Sequence, residues 1–172
     1  MKKYLSLSFL LFIFNVSYSH AEIKVAYIDV NFILNNSIVG KSITEHISKI
    51  EKNKSNEFSS IQKKLNYKEK NIISKKNIIS SDEFNNQIEI LKDEIKKYRI
   101  DKEKFINKIN SDKKKYTKIV LDSLNPIISS YVEENSITIV FPKKNIVVAK
   151  KKLEITMQIM DLLNKKLNKI DF

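Results

Sequence analysis

Residues 84–119 read FNNQIEILKDEIKKYRIDKEKFINKINSDKKKYTKI. Steps of four and three residues, taken in alternation from Phe84, reach eleven positions in this stretch, and nine of them are apolar or aromatic. The two interruptions are Lys102 and Asp112. The mean step of about 3.5 residues is the period of a coiled coil. The pattern predicts a long helix, in a repeat that continues to Ile127, whose narrow apolar stripe packs against another helix.

A second helical repeat precedes it, from Lys41 to Ile79, and its stripe is less regular. Three lysines, Lys54, Lys68 and Lys75, fall on the seam of this repeat. Because charged side chains resist burial, they predict a loosely packed first arm. The apolar members of the stripe are Ile43, Ile47, Ile50, Phe58, Ile61, Leu65, Ile72 and Ile79.

Between the repeats lies the sequence Ser80-Ser81-Asp82-Glu83, which fits a capping box. In that motif Ser80 accepts a hydrogen bond from the Glu83 amide and the Glu83 side chain reaches back. Acidic residues at a helix start also suit the helix dipole. The motif predicts two antiparallel helices that reach about 60 Å at 1.5 Å per residue. One continuous helix is the alternative, since no Gly or Pro forces a turn here.

Short β-type runs and short helices are predicted outside the arms. Residues 23–30 form an apolar, β-branched run of strand length. Residues 31–39 predict a short helix that Gly40, the single glycine of the chain, separates from the first arm. Near the end of the second arm, Pro126 predicts a kink.

The last third of the chain repeats this mixture of strand and helix patterns. Residues 137–141 and 146–149 are β-branched runs around Pro142-Lys143-Lys144-Asn145, which predicts a β-hairpin. A final helix is predicted from Thr156, as the N-cap, to Leu167. The sequence therefore predicts a mainly α fold in which a long antiparallel coiled-coil hairpin projects from a small β body.

Residues 1–21 have the pattern of a signal peptide. Lys2 and Lys3 precede an apolar stretch of about a dozen residues, and small residues stand at Ser19 and Ala21 before the predicted cleavage site. The stretch is shorter than the roughly 20 residues that a membrane span needs. We expect an exported, soluble chain that begins at Glu22, with a retained anchor as the alternative. The absence of Cys excludes disulfides and thiolate metal sites.

The chain is strongly basic, with a formal charge of +12 that falls to +10 when Lys2 and Lys3 are removed. Such a balance indicates an acidic partner: nucleic acid, an anionic membrane surface or an acidic polypeptide. Compositional bias toward Lys, Ile and Asn is the alternative explanation. Arg99 is the single arginine, which disfavours sequence-specific contact with bases, because these contacts favour the guanidinium group.

Sequence signals for an enzyme are absent. His20 lies in the predicted leader and His46 stands alone on the first arm, where an exposed helical histidine is the expected role. No carboxylate cluster has metal-ligand spacing, and a chain with one glycine has no Gly-rich phosphate loop. We therefore expect no catalytic residues, no metal site, no bound ATP and no cofactor.

Several local strings resemble the Skp/OmpH family of periplasmic chaperones. These are IKVAYIDVNFILNNSIVGK at residues 23–41, ITIVF at 137–141, NIVVA at 145–149 and LEITMQIMDLLN at 153–164, together with the hairpin itself. The resemblance spans nearly all of the chain after residue 21. One departure is Glu154, where the family commonly has Asp. Another is the hairpin seam, which is less apolar than usual.

The resemblance implies a homotrimer in which strands of three chains form a small β body and three hairpins surround a central cavity. The implied domains are a body of residues 22–40 and 126–172, which mediates oligomerisation, and a coiled-coil arm of residues 41–125. The few short strands support assembly independently, because a small sheet leaves open edges. The residues expected to form the oligomerisation surface are Ile23, Val25, Tyr27, Ile139, Val140, Val147 and Val148.

The function implied is ATP-independent holding in the periplasm. Unfolded outer-membrane β-barrel proteins would enter the cavity and be kept from aggregating. Residues 41–125 contain 21 Lys or Arg against 13 Asp or Glu, so the arms would attract acidic clients. Transient contact with an anionic membrane surface or lipopolysaccharide is also expected. The lysines predicted to bind clients are Lys63, Lys64, Lys68, Lys70, Lys75, Lys76, Lys92, Lys96 and Lys97.

Two other functions fit parts of the pattern. A structural coiled-coil protein of the cell envelope would use the same hairpin without holding clients. A basic nucleic-acid-binding protein would explain the lysines, but the predicted leader argues against it. Neither alternative accounts for the strand and terminal-helix strings.

Overall fold

A computed structural model describes residues 23–172, so the predicted signal peptide at 1–21 lies outside the described residues. Within the described part, helices dominate and two short strands form one sheet. None of the helices in this part combines the length and apolarity that a membrane span requires. The elements are β1 (Val25–Ile28), α1 (Val30–Asn36), α2 (Ile38–Ser74), α3 (Ser81–Glu134), β2 (Ile139–Pro142) and α4 (Thr156–Lys166), with 3-10 turns at Lys143–Asn145 and Lys151–Leu153.

The two long helices form the predicted antiparallel hairpin. Lys68 of α2 pairs with Glu94 of α3 at 2.7 Å, and Glu51 pairs with Lys113 at 2.8 Å. As residue numbers rise along α2, the residue numbers of their partners on α3 fall, so the two helices are antiparallel. With 37 residues, α2 is about 55 Å long. The continuous-helix alternative is excluded, because residues 75–80 form a turn.

The helix break depends on Ser80, as predicted. Its hydroxyl oxygen accepts a hydrogen bond from the Glu83 amide at 3.2 Å, and Asp82 and Glu83 occupy the first turn of α3. The reciprocal half of the capping box is not formed. Instead, the Glu83 carboxylate accepts a hydrogen bond from Gln87 one turn later, at 3.0 Å.

The seam of the hairpin contains two buried clusters. The distal cluster consists of Leu65, Ile72 and Leu91, with partly buried neighbours that include Phe84 and Ile88. The main cluster continues from the body to Ile109 and Ile47. Phe58 lies between the two clusters and meets Tyr98 and Phe105 edge-on, each at 5.8 Å between ring centroids.

The seam lysines leave the interior instead of separating the helices. Lys54 pairs with Glu57 and lies 5.4 Å above the Phe58 ring, so its stem covers an aromatic face. Lys68 makes its ion pair with Glu94 across the hairpin. Lys75 lies past the end of α2 and is exposed. The two long helices therefore remain in contact despite these polar interruptions.

The sheet differs from the sequence-based prediction. β2 pairs in parallel with β1, in a register that aligns Val25 with Ile139, and residues 146–149 form no strand. The prediction of a β-hairpin over residues 137–149 is therefore wrong. Pro142 ends β2 and leads into a 3-10 turn, so the chain does not reverse onto itself there. The Ile155 amide donates to the Tyr27 carbonyl at 3.0 Å, so β1 lies between β2 and this segment.

Polar side chains connect the two ends of the chain. The Asp29 amide donates to Thr156 Oγ1 at 2.9 Å, and the Ile38 amide donates to Asn164 Oδ1 at 2.8 Å. Thr156 is the first residue of α4 and not its N-cap, which corrects the prediction: its hydroxyl instead accepts a hydrogen bond from the amide of Asp29, directly after β1. Residues 153–164 thus satisfy backbone groups of residues 29–38, so the strings at both chain ends form one unit.

The boundary between the first two helices lies at Ser37, not at Gly40 as predicted. Ser37 is the N-cap of α2 and accepts a hydrogen bond from the Gly40 amide at 3.1 Å. Gly40 lies in the first turn of α2, where a Cβ atom would stand 2.0 Å from the Leu34 carbonyl oxygen. This glycine is needed for close approach of the two helices, not for a turn. At the other end, α3 continues through Pro126 to Glu134.

Candidate functional site

The outer half of the hairpin, residues 63–97, forms the distal arm surface. All nine lysines predicted to bind clients lie on it, and eight are exposed. Lys68 is half-buried and pairs with Glu94, while Lys92 pairs with Glu89 on its own helix at 2.7 Å. Within residues 23–172 the other seven make no ion pair: Lys63, Lys64, Lys70, Lys75, Lys76, Lys96 and Lys97.

Exposed apolar side chains lie among these cations. Tyr67 is 72% exposed and Ile78, in the turn between the arms, is 79% exposed. Ile73 and Ile90 are exposed on the same distal surface. Sequence reasoning missed these four residues because they lie off the heptad seam. The available signal was that they are apolar residues outside the apolar stripe of the hairpin. The surface can therefore offer both apolar contact and positive charge to an extended chain.

The predicted oligomerisation residues are divided between the surface and the core. Ile23, Ile139, Val147 and Val148 are exposed, and the last two reach 103% and 88%. Val25 and Val140 are half-buried in the β1–β2 pair. Tyr27 is buried within its own chain. Ile139 and Phe141 lie on β2, an edge strand of the sheet, and each is 44% exposed.

A polar cluster fixes the body behind this surface. Lys143 donates to Glu154 at 2.8 Å, lies 3.7 Å from the Asp29 carboxylate, and the Tyr27 hydroxyl donates to Glu154 at 3.4 Å. The hydrogen bond from Lys143 lowers the pKa of the Glu154 carboxyl below its ordinary value. Desolvation, and then the Glu154 charge, raise the pKa of Tyr27. Each charge in the cluster has a partner, so the cluster joins residues 143 and 154, which both precede α4, to the end of β1.

The fold defines a helical-hairpin protein. It offers two surfaces to other molecules, a cationic arm and an apolar sheet edge. The chain belongs to the OmpH-like family: the model of the family described as outer membrane protein (OmpH-like) matches residues 24–163. This match confirms the family resemblance and supports a chaperone role.

A solved structure confirms the fold. A crystal structure of an OmpH-like protein from Caulobacter crescentus CB15, described as a candidate outer membrane chaperone, is similar to this chain with a TM-score of 0.78. The two chains are 17% identical, and the similarity covers 86% of this chain and 88% of that one. At this identity the likeness shows the architecture alone. Among curated proteins, none matches the chain.

Proposed function

We propose that this protein is an ATP-independent holding chaperone of the periplasm that binds unfolded outer-membrane proteins between helical arms. The observation that carries the proposal is the distal arm surface, which presents both seven lysines without ion-pair partners among the described residues and four exposed apolar side chains. Family membership supports the chaperone role. Holding needs many weak contacts over a large surface, and no enclosed site is required.

The charge of the arms supports capture of acidic chains. Residues 41–125 have eight more basic than acidic residues, whereas the remainder after residue 21 is close to balance. Several arms around one space would add their fields, and such a field raises the rate of encounter with acidic clients at low salt. Apolar residues such as Ile73 and Ile90 would then cover client segments that otherwise pair strand to strand.

A trimer would place the arms around a shared cavity. Val147 and Val148 follow β2 and are 103% and 88% exposed among the described residues, and the β2 side chains Ile139 and Phe141 are also exposed. A two-stranded sheet is marginal in isolation. Pairing of the 146–149 segment of one chain with the open sheet edge of a neighbour would cover both features.

Sedimentation velocity tests the proposal. We would study residues 22–172 alone and after a urea-unfolded outer-membrane β-barrel protein is diluted into the sample. A trimer that converts to a soluble trimer–client complex, weakened by salt, is the expected result. A trimer that leaves the barrel to aggregate would indicate the structural envelope function, and a monomer would contradict the cavity. DNA affinity that survives physiological salt would favour nucleic-acid binding.

Matched charge variants test whether client capture depends on the arm lysines or only on the total positive charge of the chain. In one variant Lys70, Lys75, Lys76 and Lys97 of the distal arm become Gln. In the control, the four exposed body lysines Lys144, Lys150, Lys151 and Lys152 become Gln. Both remove four positive charges. We expect slower client capture and a weaker salt dependence for the arm variant alone, and equal effects would contradict the role of the arm.

A further inference from the structure

The segment that follows α4 turns back toward the base of the hairpin. α4 ends at Lys166, Leu167 has extended backbone angles, and Ile170 is 8% exposed within the main buried cluster. We call residues 168–172 the strap. The strap lies beyond residue 163, where the match to the family model ends.

One aromatic side chain of the strap contacts both arm helices. The Phe172 ring stacks on His46 of α2, with 3.9 Å between centroids and 7° between planes. It also meets Tyr116 of α3 edge-on, at 5.4 Å and 88°. His46 and Tyr116 lie 6.2 Å apart, so the three rings form one group. The expectation that His46 is simply exposed is wrong, because His46 is half-buried against the strap.

The position of this group gives it mechanical importance. Ile47 and Ile109 are the members of the main cluster farthest along the arm, so His46 lies where the hairpin leaves the body. From residue 46 to the end of α2 at Ser74 the helix extends about 40 Å. A rotation of 10° at this root would move the arm tip by roughly 7 Å, since the displacement scales with that length. Contacts at the root therefore control the tip.

We propose that the strap fixes the angle between arm and body by clamping α2 and α3 together at the root through Phe172. Ile170 anchors the strap in the body core, and Phe172 transmits this anchor to both arm helices. The half of the Phe172 surface that stays exposed leaves the ring free to detach without opening the core. If the proposed function holds, on which this consequence rests, the strap also sets the width of the space available to a client.

Spin-label distances measure the arm angle directly. The chain has no cysteine, so Asn77→Cys in the tip and Lys144→Cys in the body give one defined label pair, diluted with unlabelled protein. Phe172→Ala is expected to broaden the distance distribution by several ångströms. Phe32→Ala is the matched control, because Phe32 is similarly exposed on α1 and lies outside this aromatic group. A Phe172→Ala distribution equal to that of the control would overturn the proposal.

Hydrogen exchange separates a clamp from a general contribution to folding. Phe172→Ala should speed amide exchange at residues 43–50 and 112–119 and leave β1 unchanged. His46→Ala, which removes the stacking partner and keeps the Tyr116 contact, should give a smaller change in the same residues. Exchange that rises equally in β1 would show that Phe172 only supports the core. Neither measurement uses a client, so a failure of the strap proposal can be distinguished from a failure of the proposed function.

Discussion

Gly40 shows how a single residue can have a role that its sequence context does not reveal. Its position after an apolar stretch predicts a helix boundary, whereas the structure places it inside α2 beneath the Leu34 carbonyl. Thr156 is a second example, because its position predicts a local cap and its hydroxyl bonds to Asp29 in the other half of the chain. In both cases the decisive contact comes from packing against another element, α1 for Gly40 and the residue directly after β1 for Thr156.

Gly40→Ala should destabilise the protein despite the better helix propensity of alanine. Propensity alone would contribute up to about 1 kcal/mol in favour of the variant. The new Cβ would meet the Leu34 carbonyl oxygen at 2.0 Å, so α1 must move away from α2. We expect a net loss of about 1–3 kcal/mol in the free energy of unfolding, measured in urea. Ser48→Ala, an exposed site on the same helix, should change it by less than about 0.5 kcal/mol.

At the scale of elements, the heptad pattern predicted the hairpin well. Buried positions such as Leu91, Ile109 and Tyr116 lie on the predicted stripe, and exposed Lys102 occupies the predicted interruption. The β elements were predicted less well. Residues 146–149 have β-branched composition, but composition does not specify a partner, and β1 supplies a parallel edge to β2 instead.

The two separate clusters of the hairpin predict that the distal arm can loosen while the body stays folded. Leu91→Ala would leave a cavity between Leu65 and Ile72 and should cost about 2–5 kcal/mol locally. Hydrogen exchange should accelerate at residues 61–98 and stay unchanged in β1. Ile90→Ala is the control, because this neighbour is 44% exposed and should have little effect. Equal acceleration in the body would show that arm and body unfold as one unit.

At the scale of the whole molecule, two groups of exposed apolar residues have different proposed partners. Ile78 and its neighbours at the tip lie among lysines and suit a client. Val147 and Val148 lie beside the open sheet edge and suit a second copy of the chain. Under the proposed function, the same physical property, uncovered apolar surface, would serve capture at one end of the molecule and assembly at the other.

A negative charge introduced at Ile78 or at Val147 and Val148 should separate the proposed roles in client capture and in trimer assembly. The pair Val147→Asp and Val148→Asp would place carboxylates in the proposed trimer contact, where burial of an unpaired charge is costly. We expect sedimentation as a monomer with helix content by circular dichroism close to that of the unaltered chain. Ile78→Asp, at a site that is also highly exposed, should leave the trimer intact and slow client capture. A trimer that persists in the valine variant would contradict the proposed edge contact.

The sequence by itself determined the long helices, the hairpin break at Ser80 and the basic character of the arms. These features follow from side-chain period, from a cap formed within four residues and from composition, and all of these are local. Tertiary structure alone decided the parallel β1–β2 pair, the close approach at Gly40 and the contact of Phe172 with His46 and Tyr116. Each of these depends on packing between different elements, most of them far apart in sequence, and no local pattern encodes which surfaces meet.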